Sequence, residues 1–482
     1  MDEANYNTGG INIMGQDTET CNEKTRIDKV GVTSDRLTSR AGLTFLVHYL
    51  DSIGIYSLLE RYFGSVRGSA KGISVQEAFK QLICFFVDGT NLHLTRFDEL
   101  AKKKGYAKGI ETSFGNMASS HQIKRFLKKF SFVRNYLFRK LLQDFFIWRL
   151  KVRKPEVVLL DLDTMIMDND TSKQREGVEP TYKNVAGFQP LQLQWESYFV
   201  DCVFRGGSKH SNHGKAVITM IEHVVERIRN EYDEAVPIVL TADIGFFDQV
   251  NFQTFEELGI GYVIGGKLYP DIKEKVKSAP ENNWQLLTKE DGRTYKLLSF
   301  TDRRGSWEKS RRAIYTRLVD EGKLKPFRFA QRRRVYYTNL GRSEALNNSL
   351  IKAGKGGWLT SKGIVNLAHG RGNDELTHRS LKEFGTEKLP FQRFEANTAF
   401  YYIMVFAFNL EEAFKRDVTK DQIRSVCYPS TFKRKFIDVA GKVVSTGREM
   451  VLKVTQAVWK RLNVPGLWKR VNSPPVPSLA VI

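Results

Sequence analysis

Two apolar runs that each stop at an aspartate set the tightest limit on how this chain can fold. Glu156-Val-Val-Leu-Leu-Asp161-Leu-Asp163-Thr164 reads as a buried strand, and Val236-Pro-Ile-Val-Leu-Thr-Ala-Asp243 reads as a second one that ends on an acid just before Gly245. Side chains alternate along a strand, so Asp161 and Asp163 share a face, about 6.6 Å apart. Between the two runs, residues 191–199 and 201–205 predict strands of a meander, with the polar segment 206–214 as its turn. Residues 216–229 predict an amphipathic helix; after the second acid come a short helix around 255–258 and a strand at 261–264. Strand, hairpin, helix, strand, helix, strand is the order of an α/β fold, a mixed sheet with helices on its faces.

A third acid enters from a different kind of element. Ile364, Val365, Leu367, Ala368, Leu376, Leu381 and Phe384 have the spacing of one helix over 361–384. On that helix Arg371, Glu375, Arg379 and Lys382 share a face. An ordinary solvated helix would carry the same charges as surface ion pairs. With two strand-end acids upstream, Glu375 completes a set of three carboxylates, Asp163, Asp243 and Glu375, with Asp161 as a neighbouring ligand. Carboxylate oxygens suit a hard divalent cation. Two magnesium ions, with manganese able to substitute, can activate a water or a 3′-hydroxyl and stabilise the leaving oxygen of a phosphodiester. Arg371, Arg379 and Lys382 would then hold DNA phosphates beside the acids.

Charge names the class of partner. The chain has 482 residues, 75 Lys+Arg against 54 Asp+Glu, a formal charge of +21 and 41% hydrophobic residues. It is long enough for several cores, and a protein this basic is expected to meet a polyanion, nucleic acid ahead of an anionic membrane surface. No apolar run approaches the roughly 20 residues of a membrane span, so no membrane partner is expected. The start, Met-Asp-Glu-Ala-Asn-Tyr, lacks the basic and apolar parts of a signal peptide. Cys21, Cys84, Cys202 and Cys427 are too scattered for zinc or a disulfide framework, which fits a reducing cytoplasm.

Composition shifts divide the chain. Residues 1–30 form a polar arm, and 31–150 a helical domain. In the latter, Ser119 or Ser120 caps a short helix whose buried stripe is Ile123, Phe126, Leu127 and Phe130. Gln122, Lys124, Arg125, Lys128 and Lys129 lie on its other faces, a pattern suited to docking on DNA. Residues 151–266 hold the first part of the sheet, and 267–358 read as a basic β-rich insertion. There Arg332, Arg333 and Arg334 fit phosphates, and Trp307 or Trp358 could stack on a base or pack in a core. The third acid lies in 359–415, together with an apolar helix at 396–410, and 416–482 is a basic tail. His210, His213, His369 and His378 are close to the acids in sequence, with a surface role expected for them.

At this point the residues resemble a family, the DDE transposases of bacterial insertion sequences whose third acid lies in a Tyr-x2-Arg-x3-Glu-x6-Lys signature. Arg371, Glu375 and Lys382 match its last three members, while Ala368 stands at its tyrosine. Leu-Asp161-Leu-Asp163-Thr164 resembles the first-acid strand, with Asp163 favoured because the acid usually precedes Ser or Thr. Thr241-Ala-Asp243-Ile-Gly245 resembles the second-acid segment, residues 205–214 its hairpin turn, and 119–126 the helix of the DNA-binding part. The resemblance implies an RNase H-like core interrupted by a β-rich insertion and preceded by an all-helical DNA-binding domain. It further implies magnesium-dependent cleavage at terminal inverted repeats, joining of the 3′-hydroxyl to target DNA, a dimer on paired ends, and a cytoplasmic, nucleoid-associated protein. A nuclease on the same core, or a decayed transposase kept as a DNA-binding regulator, are the alternatives.

Overall fold

The computed structural model describes residues 32–68, 71–320 and 333–479, apart from the side chains of Asp320 and of 372–375. After a short strand β1 (Arg36–Thr38) come helices α1 (Gly42–Ser52), α2 (Ile55–Phe63), α3 (Val75–Asp88), α4 (Arg96–Leu100), α5 (Lys104–Gly109), α6 (Ser120–Leu127) and α7 (Phe132–Arg153). Next are β2 (Val158–Thr164), the short strands β3 (Met167–Asp168), β4 (Glu179–Pro180) and β5 (Ala186–Phe188), and the hairpin of β6 (Leu191–Trp195) and β7 (Tyr198–Val203). Helix α8 (Ala216–Glu231), strand β8 (Ile238–Ala242), helix α9 (Gln249–Glu257) and strand β9 (Gly261–Gly266) follow. Helix α10 (Pro270–Ser278) leads to strands β10 (Trp284–Thr288), β11 (Thr294–Asp302), β12 (Arg311–Asp320) and β13 (Arg333–Thr338). Helices α11 (Glu344–Lys352), α12 (Ser361–Gly370), α13 (Gly372–Phe384), α14 (Phe394–Phe414) and α15 (Pro429–Phe432) come before strands β14 (Gly441–Thr446) and β15 (Glu449–Lys453) and helices α16 (Gln456–Leu462) and α17 (Val464–Val471).

The fold is α/β, built on one mixed sheet ordered β10-β11-β12-β13-β9-β8-β2-β6-β7. Strands β2, β8 and β9 run parallel, and every other neighbouring pair is antiparallel. The basic β-rich stretch therefore extends the acid-bearing sheet, through β13 on β9, rather than forming a sheet of its own. The meander turn also lies elsewhere than 206–214: β6 and β7 are joined at Glu196-Ser197, with Glu196 at φ 54°, and 206–214 is the loop from β7 to α8. Alternation sends Val158, Leu160, Leu162, Leu240 and Ile264 into one core, while Val239 and Val263 pack on the other face with Ile364, Val365, Leu367 and Ala368 of α12.

Helix α14 joins the helical part to the sheet. It is apolar all round, and every residue from Ala396 to Phe414 is buried, as expected of a helix with no solvent face. Phe400 packs on Phe86 of α3, Tyr402 stacks on Phe138 of α7 at 5.5 Å, and Phe408 meets Phe199 of β7. A bulge takes Val200 out of register between β6 and β7, and the Asn409 side chain then satisfies the Phe199 backbone, accepting from its N–H (2.9 Å) and donating to its carbonyl (2.8 Å). Arg149 of α7, fully buried, donates to both oxygens of Asp417 at 2.7 and 3.0 Å, and the Tyr49 hydroxyl donates to the same carboxylate. Such contacts give helices 42–153 and the sheet a shared core. Among the described residues no single helix is long and apolar enough to cross a membrane.

The end of α14 carries a titratable group inside that core. Burial pushes the Glu411 carboxyl up to about 8, against the pull of Lys415 at 4.0 Å. Between its ordinary value and about 8, the folded chain keeps a proton that the unfolded chain has released. Stability should therefore fall as pH rises through that window. Glu411→Gln is expected to melt at the wild-type temperature near pH 5 and several degrees above wild type near pH 8.5, measured by thermal unfolding at both pH values.

Candidate active site

Two acids leave the sheet side by side. In the parallel pair β2–β8, Leu162 is opposite Ala242, so the next residues, Asp163 and Asp243, follow at the carboxyl ends of neighbouring strands, which lie about 4.8 Å apart. Both side chains are partly exposed. Asp163 accepts from the Thr164 N–H at 2.7 Å, and Asp243 caps the turn after β8 by accepting from the Gly245 N–H at 2.8 Å. Asp161 differs: it is buried, and its Oδ1 accepts from Thr241 Oγ1 at 2.7 Å and from Arg371 Nε at 2.5 Å. The same guanidinium places Nη2 3.4 Å from Asp163 Oδ2. Burial raises the Asp161 pKa although Arg371 opposes it, and burial of Arg371 is outweighed by Asp161 and Asp163, which raise its pKa.

The helix expected over 361–384 is broken at Arg371 into α12 and α13. Arg371 is the hinge residue, and its donation to Asp161 sets α13 beginning against β2. Glu375 lies in the opening turns of α13, its side chain outside the described residues. One turn further, His378 presents Nδ1 3.9 Å from Asp163 Oδ2, and its Nε2 is 2.7 Å from Gln194 Nε2. The face of α13 that bears His378 is therefore turned towards the acids. Burial pushes the His378 imidazole down to about 4. His369, against Tyr295 and Tyr336, is also largely buried and pushed down to about 4. A surface role therefore holds for His210 and His213, which are exposed, and fails for His369 and His378.

The expected DNA contacts are distributed unevenly. Arg371 is engaged with the acids, Lys382 pairs with Glu387 at 2.5 Å, and Arg379 lies 5.1 Å over the Tyr428 ring. Helix α6 has the cap read from the sequence, and Gln122 is half of a capping box with Ser119 rather than a free side chain. Arg125 and Lys128 are exposed and Lys124 partly so. Arg333 and Arg334 open β13 in exposed positions, and Arg332 lies outside the described residues. Of the two readings for Trp307, core packing holds and the DNA contact fails: it is packed against Phe247, Phe252 and Tyr337, because the sheet it borders extends that core. Ala368, at the signature tyrosine, is buried on the face of α12 that packs against the sheet, away from any DNA contact.

Two residues to which the sequence reading gave no role belong to the site, Thr241 and Gln194, and so does His378, for which a surface role was expected. Thr241 was legible, since it stands two residues before Asp243 and faces the same way. Gln194 is opposite Asp161 across the β2–β6 ladder, which depends on a register no local pattern gives. The loop 206–214 closes the site from another side. Buried Arg205 donates to Gln189 O at 3.1 Å, His210 O at 3.3 Å and Ser211 O at 3.4 Å, holding the loop in shape. Ser211 Oγ lies 3.5 Å from Thr164 Oγ1, and a Cβ at Gly245 would come within 2.7 Å of that serine oxygen. A groove of about 1280 Å³ opens on the Asp161 face, lined among others by Thr241, Arg371, Lys355, Lys362 and Arg416.

The donors fit a hard cation. Asp163 and Asp243 offer partly exposed carboxylate oxygens at one point, and the cationic Arg371 already sits against Asp163. Among the described residues no three His, Cys, Asp or Glu side chains form a metal-sized group, the Glu375 side chain being outside that set.

A family model described as the transposase DDE domain, group 1, matches residues 22–467. Among solved structures, the chain is similar to a piggyBac transposase synaptic complex with hairpin DNA, at 11% sequence identity and a TM-score of 0.37, over 92% of this chain and 84% of that one. The comparison with curated proteins gave no match.

The Asp161–Arg371 pair has a measurable consequence. Removing one partner leaves the other charge in a mostly buried place, which costs about 3 kcal/mol or more. Asp161→Ala should lower stability by about that amount, and adding Arg371→Met should cost less than the sum of the single changes. Denaturant unfolding of the two singles and the double is the check; strict additivity would mean that the pair is not coupled.

Proposed function

The chain belongs to the family of transposases with a group 1 DDE domain, and we propose that it is the transposase of a bacterial insertion sequence. In this reading it binds the terminal inverted repeats of its element, cleaves DNA at those ends and joins the freed 3′-hydroxyls to target DNA. The observation that carries the chemistry is the parallel register that ends β2 and β8 on Asp163 and Asp243, with α13 starting beside them.

Asp163, Asp243 and Glu375 are the catalytic carboxylates, and they hold the divalent metal, two Mg²⁺ ions with Mn²⁺ as a substitute. Bound there, the metal supplies activation of a water or 3′-hydroxyl and stabilisation of the leaving oxygen. Asp161, buried and bonded to Thr241 and Arg371, serves as the anchor of Arg371 rather than as an open ligand. Arg371 neutralises Asp161 and Asp163 together, which lets two carboxylates stand close before any other cation or DNA is present. Its guanidinium also faces the place where a scissile phosphate must approach, and phosphate is a bidentate acceptor for it. Lys382 and Arg379 on the same helix, Arg333 and Arg334 on β13, and Lys124, Arg125 and Lys128 on α6 supply backbone contacts along double-stranded DNA. A homodimer on paired ends, acting in the bacterial cytoplasm at the nucleoid, completes the reading.

The test is cleavage and strand transfer on a plasmid carrying the element's ends in Mg²⁺. Asp163→Ala, Asp243→Ala and Glu375→Gln should each abolish both steps, by three orders of magnitude or more, while end binding stays within a few-fold, since metal ligation and phosphate contacts are separate terms. Cleavage without joining in the wild type would make it a nuclease, and end binding with no cleavage would make it a regulator. For the helical part, Arg125→Glu with Lys128→Glu should weaken end binding and make it less steeply dependent on salt, by up to roughly two in the log–log slope, read by fluorescence anisotropy. An unchanged slope would remove α6 from the DNA interface.

A further inference from the structure

His378 has a place in the site that the three-carboxylate reading does not use. It projects from α13 one turn after Glu375, with a side chain only 12% exposed, and its ring lies near parallel to Phe199 at 6.3 Å. Its two nitrogens face different groups: Nε2 is 2.7 Å from the amide nitrogen of Gln194, and Nδ1 looks at Asp163 Oδ2 from 3.9 Å. Gln194 is fixed in turn by its position opposite Asp161 on β6.

These contacts link the tautomer to the Gln194 amide. With the amide –NH2 towards the ring, which can only donate, His378 Nε2 accepts and the ring proton resides on Nδ1. That places an N–H dipole, not a lone pair, towards the Asp163 carboxylate, the arrangement the negative charge favours. Turning the Gln194 amide over would move the proton to Nε2 and aim the Nδ1 lone pair at Asp163, which the carboxylate opposes. It would also give the buried Gln194 Oε1, which has no partner among the described residues, a donor. The two arrangements predict opposite roles: with the proton on Nδ1 the ring is a donor to the carboxylate, and with the proton on Nε2 it is a ligand for a cation.

We propose that His378, held by Gln194, is a positioning residue that orients the Asp163 carboxylate for metal binding through its Nδ1–H. The inference rests on the metal-site reading of Asp163 above. Thr164 N–H already occupies Asp163 Oδ1, and Arg371 is divided between Asp161 and Asp163. His378 Nδ1–H, 3.9 Å from Oδ2, reaches hydrogen-bond distance with a small side-chain shift and steadies that oxygen when Arg371 turns to a phosphate. Groups that hold a ligating carboxylate in orientation typically contribute 10- to 100-fold in metal affinity.

The test is Mn²⁺ binding to the full-length protein without DNA, by calorimetry or by the Mn²⁺ resonance signal, with thermal melting as the folding control. His378→Phe keeps the ring packing and removes both nitrogens; it should weaken Mn²⁺ binding about 10- to 100-fold. His378→Asn puts an amide N–H near the Nδ1 position and should recover most of that loss, whereas His378→Gln, which reaches the Nε2 position, should not. Gln194→Leu removes the partner that holds Nε2 and leaves the ring free to turn; it should weaken binding as well. Wild-type affinity in His378→Phe would overturn the proposal, and tighter binding in Gln194→Leu would overturn it in favour of a ligand role. Asp243→Asn is measured alongside. If it loses Mn²⁺ while His378→Phe does not, only the positioning role fails; if Asp243→Asn also binds normally, the metal site and this inference fall together. Within the DNA reaction, the orienting role predicts a higher Mg²⁺ requirement for His378→Phe, with the DNA concentration for half-maximal rate unchanged.

Discussion

The buried ion pair between Asp161 and Arg371 governs the geometry of the whole catalytic face. Asp161 lies inside a strand, with sheet neighbours on both sides, and a carboxylate cannot stay charged there without a partner. Arg371 is that partner, at 2.5 Å, and it stands where the long helix of the sequence pattern breaks, between Gly370 and Gly372. The break decides where α13 starts and which of its faces looks at the strand ends. Thr241 takes the remaining hydrogen bond of Asp161 Oδ1, so β2, β8 and α13 are tied at one point. Buried pairs of this kind add little net stability compared with apolar side chains of the same size. What they provide is a single allowed arrangement, because any other register strands a charge.

The second constraint is the pairing of β2 with β8. Parallel strands need a crossover between them, and α8 supplies it after the β6–β7 hairpin. Parallel neighbours also end at the same edge, which is how two aspartates distant in sequence come to leave the sheet together. The loop 206–214 then fills the remaining side, and Gly245 is needed because Ser211 packs where its Cβ would be. The helical part belongs to the same mechanical unit: α14 is buried against α3 and α7 on one side and β7 on the other, so α6, with its exposed cations, stands on a rigid platform.

Much of this could be read in the sequence, and the parts that could not share a cause. Periodicity gave β2, β8, α8 and α14, because each buries whole faces, and Ser119 announced α6 through its cap. Strand alternation placed Asp161 and Asp163 together. The hairpin turn was misplaced since Glu196-Ser197 has only one of the usual turn residues, the serine, and the glycine-rich segment after β7 has many. Trp307 was open to two readings because burial of an isolated aromatic depends on long-range packing, here the extension of the sheet through β13. The helix break at Arg371 did leave a local mark, Gly370 and Gly372 on either side of it, both weak helix formers; the apolar spacing on the two flanks outweighed that mark in the sequence reading.

Tertiary placement is what puts another feature of the site, the Gln194–His378 contact, beyond sequence reasoning. It needs the β2–β6 register, the bulge at Val200 that shifts β7, and the new direction of α13, each fixed by a different tertiary contact. A chain can therefore display its acids openly, since strands and alternation announce them, while the groups that orient those acids stay hidden. Acids are set by local pattern plus one pairing; their supports are set by the intersection of several pairings. In this protein the intersection falls at Asp163, where Thr164, Arg371 and His378 converge on one carboxylate from the strand, the hinge and the helix.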